Sequence, residues 1–215
     1  MKRVLLICLS LVLALVGGSA ACAADGCYVI GGGGKSASSA AVPKTGQTDS
    51  FGIIGTDGDL EKGVAWPTPR FTDNNNGTVT DKLTKLIWMK HASALGGKTW
   101  ADALIAATNL KSGDAGTGLN DGSKAGDWRL PNVRELHSLI DYGFYDPALP
   151  NTTGTGKWTE GRPFQGVKSD DYWSSSSMAV GPDNAWYVNF WTGNLYMESA
   201  GKINLKWVWC VRGGP

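Results

Sequence analysis

The sequence predicts an α+β domain in which two short helices pack on antiparallel strands. Three observations predict it: a hairpin pattern early in the folded region, two helical segments with apolar stripes in the middle, and alternating aromatic segments at the end. Because strands and helices fall into separate runs, an antiparallel sheet is favoured over a parallel one. The 215 residues, 42% of them hydrophobic, suffice for one buried core.

The N-terminus has the features of an export signal. Two basic residues precede an apolar run, Val4 to Val16, which is too short to span a bilayer as a mature anchor. Small residues follow, and Ala21-Cys22-Ala23 fits the cleavage pattern, so residues 1–23 are predicted to be a signal peptide and the mature chain to be exported. The alternative is a lipoprotein attached to a membrane only through an acylated Cys22, although Ser19 stands where such signals usually carry Leu or Val.

The segment after the signal is small, polar and rich in glycine and serine. Residues 24–47 are therefore predicted to be a flexible tether, and residues 48–215 to be the folded domain. The domain is predicted to open with an extended lead-in, because Pro67 and Pro69 interrupt regular helices and central strands.

A hairpin is predicted by the stretch RFTDNNNGTVTDKLTKLIWMK, residues 70–90. Its run Asn74 to Gly77 tolerates the left-handed backbone of a tight turn. The strand after the turn places Leu86 and Trp88 on one face. The same run carries several side-chain oxygens near a glycine, but Thr84 stands where a calcium-binding EF-hand loop needs glutamate, so a turn is favoured over a metal site.

The first helix is predicted over residues 99–113, where Thr99 and Asp102 form a capping box. Gly113 is suited to end it. Its apolar side chains recur at helical spacing and predict a buried stripe of Trp100, Ala103, Leu104, Ala107 and Leu110.

The second helix is predicted within residues 129–142, where Asn132 and Glu135 form the cap pair. Val133, Leu136, Leu139 and Ile140 are predicted to face the core. Arg129 beside this helix is interpreted as a structural residue that holds the loop by hydrogen bonds. The alternative is a ligand anchor.

The C-terminal stretch AWYVNFWTGNLYMES alternates like a pair of strands joined by a turn. Trp186, Val188 and Phe190 share one face, which is uniformly apolar and is predicted to be buried. Tyr187 and Trp191 share the other, mixed face, which has the character of a recognition surface because aromatic side chains give a large contact area at low entropic cost. The alternative is that the irregular section 144–171 covers this mixed face.

The charge balance and the absence of common catalytic motifs exclude several classes of function. The chain has 20 Lys and Arg against 19 Asp and Glu, and no basic run, so nucleic acid is excluded as the main partner. The sequence has no HExxH, GxSxG or phosphate-loop motif. His91 and His137 are its only histidines, and His137 is too close to Glu135 on the second helix for an ordinary metal-binding pair. We therefore expect no catalytic residues, no metal and no cofactor.

Four cysteines are present, and Cys8 lies in the predicted signal. Removal of the signal leaves Cys27 near the mature N-terminus and Cys210 near the end of the chain. We expect these two to form a disulfide in an oxidising compartment. The alternatives are two free thiols, or a Cys27 that pairs between molecules.

Several motifs occur together in one order: GDWRLPNVRELHSLIDY, YWSSSS, AWYVNFWTGN and WVWCVRGG. In these motifs the chain resembles the Lcl C-terminal domain family, named for the C-terminal domain of a bacterial collagen-like adhesin. The resemblance covers about Lys44 to Gly214. It implies a C-type-lectin-like fold, distantly shared with formylglycine-generating-enzyme-type domains, in a secreted or surface protein.

The resemblance also bears on function, because the adhesin of that family binds sulfated polysaccharides and some relatives are the variable targets of diversity-generating retroelements. It implies a non-catalytic domain that binds a carbohydrate or a protein. An enzyme of the formylglycine-generating type is one alternative, although those relatives use a pair of active cysteines and only Cys210 lies in the predicted domain. A structural envelope or assembly protein is another alternative. The candidate ligand-binding residues are Tyr187, Asn189, Trp191, Asn194, Tyr196, Glu198, Lys202 and Asn204.

Overall fold

The computed structural model describes residues 42–197 and 201–213. The predicted signal peptide, Cys22, Cys27 and most of the predicted tether lie outside these residues. Within them no helix is long and apolar enough to cross a membrane.

The structure is mixed α+β, as predicted, with one antiparallel sheet, one mixed sheet and three short helices in the described residues. In chain order the elements are α1 (Asp57–Leu60), β1 (Phe71–Asp73), β2 (Thr78–Asp81), β3 (Ile87–Met89), β4 (Gly97–Lys98), α2 (Trp100–Asn109), α3 (Val133–His137), β5 (Asp171–Ser177), β6 (Ala185–Asn189), β7 (Leu195–Met197), β8 (Lys206–Trp207) and β9 (Val211–Arg212).

The first sheet has the order β1-β2-β3-β9 and contains the predicted hairpin. β1 pairs antiparallel with β2, so that Phe71 lies opposite Asp81. The turn between them takes left-handed backbone at Asn75 (φ 57°) and Gly77 (φ 81°), as the asparagine-rich run predicts.

The second sheet has the order β4-β8-β5-β6-β7. β5, β6 and β7 follow one another as antiparallel neighbours. β8 breaks this sequence order because it inserts beside β5 in parallel, with Tyr172 opposite Trp207. This non-local insertion determines what covers the mixed face of the tail.

Trp209 lies at the centre of the core. It is fully buried, and its indole N–H donates to the carbonyl of Met89 at 2.7 Å. Its ring lies 4.8 Å from Phe164, 5.6 Å from Trp88 and 5.7 Å from Phe190 between centroids. Since these rings come from the first sheet, the second sheet and the irregular section 144–171, Trp209 joins all three into one core.

The helix α2 begins where the sequence predicts. Thr99 Oγ1 accepts a hydrogen bond from the N–H of Asp102, and the hydroxyl donates to that carboxylate. The predicted stripe is inward-facing, with Ala103 and Ala107 fully buried. The helix ends at Asn109 and not at Gly113, because Leu110 turns to extended backbone to bury its side chain.

The helix α3 has the predicted capping box, with both reciprocal hydrogen bonds between Asn132 and Glu135. Arg129 has the structural role that we favoured. Its guanidinium makes two hydrogen bonds to Glu135, at 2.7 and 2.8 Å, and its backbone pairs with Val211 of β9. The helix is only five residues long, and the chain continues through a turn that buries Leu139 and Ile140.

Two predictions about the lead-in are wrong. It is not extended throughout, since α1 forms one helical turn ahead of the prolines, with Asp57 and Asp59 in its first turn. The tether also ends before residue 47, because residues 42–47 are hydrogen-bonded to the domain. The N–H of Lys44 donates to the Val64 carbonyl, and the N–H of Tyr142 donates to the Thr45 carbonyl, each at 3.0 Å.

Candidate functional site

The apolar face of the tail is buried largely as predicted. Val188 and Phe190 are fully buried, and the Phe190 ring packs against Tyr172 with 5.0 Å between centroids. Trp186 is the exception, because it is only half-buried and lies outside the buried core. The irregular section 144–171 contributes Phe164 to this core.

Tyr187 lies on the mixed face, but the prediction that it is exposed is wrong. Only 4% of its surface is accessible. Its ring meets Trp173 edge-on at 6.0 Å, and the ammonium nitrogen of Lys206 lies 3.7 Å above its centroid. The cover comes from β8, which the sequence gives no reason to place beside β5.

Lys206 is itself buried, with 7% of its surface accessible. Its ammonium nitrogen lies 2.7 Å from Oδ2 of Asp171. The other oxygen of that carboxylate accepts a hydrogen bond from the side-chain amide of Asn189 at 2.8 Å. The middle of the mixed face is thus an internal polar and aromatic layer and not an open surface.

Asn189 organises the turn that follows β6. Its side-chain oxygen accepts hydrogen bonds from the backbone N–H groups of Trp191 and Thr192, at 3.0 and 3.1 Å. Such an Asx-type arrangement fixes the direction of the turn. Asn189 therefore shapes the turn, and the residues that it presents are exposed.

Trp191 reaches solvent, with 55% of its surface accessible. Asn194 is also exposed, and its carbonyl accepts from the N–H of Asn189. Tyr196 lies in β7 opposite Tyr187 in the register. Glu198 lies outside the described residues.

Lys202 and Asn204 lie at the other end of β6 from Trp191. The N–H of Lys202 donates to the carbonyl of Asp183, and its ammonium group donates to Ser177 Oγ at 2.8 Å and lies 4.1 Å from the Trp100 ring centroid. Asn204 is half-buried in the turn after Gly201. Trp191 and Asn194 thus follow one end of the five-residue strand β6, and Lys202 and Asn204 lie at its other end, so these four candidates do not form one surface.

The end that carries Trp191 contains a groove that sequence reasoning missed. It has a volume of about 480 Å³ and lies between the lead-in, the loop after α3 and the β6–β7 turn. Its lining residues are Gln47, Thr48, Asp49, Phe51, Tyr142, Gly143, Phe144, Tyr145 and Thr192. Trp191 is adjacent to it, since the Trp191 carbonyl accepts from the N–H of Asp146 at 2.8 Å. We name this set the aromatic groove.

The aromatic groove combines exposed rings with a polar wall. Phe51 is 74% exposed, Tyr145 71% and Tyr142 44%, which is unusual for side chains of this size. The polar wall is formed by Gln47, Thr48 and Asp49, which precede Phe51 in the lead-in. An apolar concave surface with a few convergent polar groups is the usual form of a ligand site.

Three aromatic residues in the sequence could have indicated this groove. Phe51 follows directly on a polar, glycine-containing stretch, and the pair Phe144-Tyr145 lies in a turn-rich section, so neither belongs to a core-type pattern. The sequence does not show that these residues come together in space. The lining comes from residues 47–51, 142–145 and 192, and more than forty residues separate each segment from the next.

His137 connects two walls of this region. Its Nε2 atom lies 2.8 Å from the Tyr142 hydroxyl and 3.3 Å from the Gly193 carbonyl. Burial lowers the pKa of His137 and outweighs the hydrogen bond to Gly193, so the imidazole is neutral near pH 7. A second groove of about 540 Å³ lies beside it, lined by Trp66, Arg134 and His137 among others.

Cys210 is a free, fully buried thiol, and burial raises its pKa far above the ordinary value. The Cys210 side chain is enclosed by the core. Cys27 lies outside the described residues, so its disulfide with Cys210 stays a prediction. The described residues also contain no group of three or more His, Cys, Asp or Glu side chains suited to a metal ion.

Comparison with known families places the chain. The model of the Lcl C-terminal domain matches residues 77–212, well over half of the sequence. The chain therefore belongs to the Lcl C-terminal domain family. No curated protein matches it.

Proposed function

We propose that this chain is an exported, adhesin-like recognition domain that binds a carbohydrate or protein ligand without catalysis. Its family membership supports the adhesin-like assignment, and the N-terminal sequence pattern supports export. The same membership, together with two sheets, short helices and long loops, supports a C-type-lectin-like fold.

One observation carries the proposal: exposed aromatic side chains gather around a groove next to the turn that presents Trp191. In a folded domain with a dense core, four large rings with at least 44% of their surface accessible are not needed for packing. Flat aromatic faces bind ligands through contact area and lose little rotamer entropy. The site that we propose is therefore the aromatic groove with Trp191 at its margin.

Non-catalytic function is supported by the state of Cys210. An enzyme of the formylglycine-generating type needs reactive thiols, and reactivity requires an accessible thiolate. Cys210 has neither access nor an ordinary pKa, because the core encloses it. Paired catalytic cysteines thus have no counterpart among the described residues.

Retroelement diversification is part of the proposal and has support from the placement of tail residues. Several tail side chains are exposed and make few demands on the core, so they tolerate replacement: Val180, Trp191, Leu195, Ile203 and Leu205. A reverse-transcriptase gene near a second copy of the codons for residues 172–212, altered mainly at adenines, is the expected genomic signature.

The direct test is binding. The mature chain and a variant with Phe51→Ala, Tyr145→Ala and Trp191→Ala are applied to one array of glycans and extracellular-matrix and bacterial-surface proteins. We expect discrete binding by the mature chain and its loss in the variant, with unchanged thermal unfolding. Binding that persists in the triple variant would remove the aromatic groove as the site, and an array without any binding would favour the structural or assembly alternative.

A further inference from the structure

We infer that the aromatic groove binds an uncharged glycan. Its sugar rings stack on the aromatic rings, and its hydroxyl groups donate hydrogen bonds to the wall formed by Gln47, Thr48 and Asp49. This inference rests on the proposed function and names the ligand class of the same site. It depends on the arrangement of the rings, on the polar groups that the fold leaves unused, and on the sign of the charges around the groove.

The rings form the apolar part of the groove. Phe51 and Tyr145 present most of their surface to solvent, and Tyr142 presents nearly half. The Tyr142 hydroxyl is held by His137 at 2.8 Å, so its ring direction is fixed before a ligand arrives. Sugar rings present C–H faces that pack on such aromatic faces, and fixed rings reduce the entropic cost of binding.

The polar wall has hydrogen-bonding capacity left over. Asp49 Oδ1 accepts from the N–H of Phe51 at 2.7 Å, which fixes the carboxylate beside the first ring. Among the described residues, the second oxygen of Asp49 and the side chains of Gln47 and Thr48 have no hydrogen-bond partner. Glycan hydroxyls donate to such oxygens, and an anionic acceptor gives the stronger bond.

The charges around the groove are mainly negative. None of its lining residues is Lys, Arg or His. Asp49 lines it, and Asp146 follows directly on Tyr145. Lys157, a cation outside the lining, lies 5.4 Å from the Tyr145 ring centroid. A sulfated or carboxylated sugar would face like charge here, whereas an uncharged sugar would not.

The size of the groove agrees with a short oligosaccharide segment. A volume of about 480 Å³ lies within the range of roughly 300–1,000 Å³ that small-ligand sites occupy. The groove is open, so a longer chain could pass through it with its ends in solvent.

The test uses calorimetric titration of the mature chain with the hexasaccharides of β-1,4-glucose, α-1,4-glucose, β-1,4-mannose and β-1,4-N-acetylglucosamine, and with dextran and dextran sulfate. We expect at least one uncharged probe to bind. Phe51→Ala and Tyr145→Ala should each weaken that binding by about tenfold, the loss usual for a well-packed anchor. Ile105→Ala is the matched control, because Ile105 is 59% exposed on α2 and lines no part of the groove.

Asp49→Asn separates charge from shape, because asparagine keeps an oxygen for the N–H of Phe51. We expect Asp49→Asn to weaken the binding of the uncharged probe about fivefold and to strengthen the binding of dextran sulfate. Dextran sulfate binding that is lost in Tyr145→Ala, without binding of uncharged probes, would overturn the inference and leave the recognition function standing. Failure of all probes would overturn the inference, and failure on the protein array as well would overturn the function.

Discussion

Lys206 lies over the ring of Tyr187, with 3.7 Å between the ammonium nitrogen and the ring centroid. The same ammonium group pairs with Asp171 at 2.7 Å. Lys206 of β8 thus covers the face of the second sheet that the alternating sequence pattern predicts to be exposed. The cation gains attraction from the ring and the carboxylate, which offsets the cost of burying it.

The first prediction follows from this burial. Lys206→Ala should lower the free energy of unfolding by about 3 kcal/mol, because Asp171 loses its partner in a partly buried site and the Tyr187 ring loses its cover. Chemical denaturation monitored by tryptophan fluorescence measures the loss.

Lys202 provides the control for this prediction. It also lies over an aromatic ring, with 4.1 Å to the Trp100 centroid, but it is only half-buried and pairs with neutral oxygens. Lys202→Ala should cost less than about 1 kcal/mol. Equal losses of unfolding free energy in Lys206→Ala and Lys202→Ala would show that the buried pair of Lys206 and Asp171 adds no stability beyond that of a half-buried lysine. Adding Asp171→Asn to Lys206→Ala should restore part of the stability.

The features that could be predicted from sequence are the local ones. The capping box of Asn132 and Glu135 lies within four residues, so its chemistry is visible in the sequence, and the structure contains it. Tyr187 was assigned wrongly because its environment is non-local. Its cover, Lys206, lies 35 residues from the Asp171 that anchors it and enters through a parallel pairing. The aromatic groove was missed for the same reason.

The second prediction concerns Glu135. Burial raises the pKa of this carboxyl, but the hydrogen bonds from Arg129 and from the Asn132 backbone outweigh it, so the pKa lies below the ordinary value. A lowered folded pKa gives stability that is present above the unfolded pKa and is lost as the pH falls through the folded pKa. Glu135→Gln should cost about 1 kcal/mol at pH 7, a modest value because Arg129 is solvent-exposed.

The difference between Glu135→Gln and the natural chain should shrink as the pH falls below the unfolded pKa of about 4.3 and disappear once the pH is below the lowered folded pKa. Urea titrations at pH 7 and at pH 3.5 measure it. A loss of equal size at both values would assign the effect to packing and not to charge.

The third prediction concerns Asp141, whose effect on stability depends on pH in the opposite direction to that of Glu135. Burial raises the pKa of Asp141 to about 6, against smaller opposing effects of the Gly143 N–H and of Arg70. The folded pKa exceeds the unfolded value, so the folded state binds the proton more tightly. Asp141 therefore contributes stability that is full below about pH 4 and is lost as the pH rises through about 6. The expected loss is about 3 kcal/mol.

Asp141→Asn tests this directly, since asparagine keeps an oxygen for the Gly143 N–H, which donates at 2.8 Å. The variant should be more stable than the natural chain at pH 7.5 and should lack the decline between pH 4 and 6. Thermal unfolding across this range is the measurement. If the variant shows the same decline in stability between pH 4 and 6, the decline must come from another titratable group.

The fourth prediction tests how the turn beside the aromatic groove is fixed. Gly193 has φ 79°, and a Cβ atom there would lie 2.6 Å from Cγ2 of Ile140. Gly113 has a similar φ of 86° with open space around it. Gly113→Ala should therefore cost about 1–2 kcal/mol from backbone strain alone. Gly193→Ala should cost about 2 kcal/mol more, because the buried Ile140 must move. It should also weaken ligand binding, since the same turn positions Trp191 and Thr192. Equal stability of the two alanine variants would mean that the turn moves away from Ile140 freely, and the groove would then lack a fixed wall on that side.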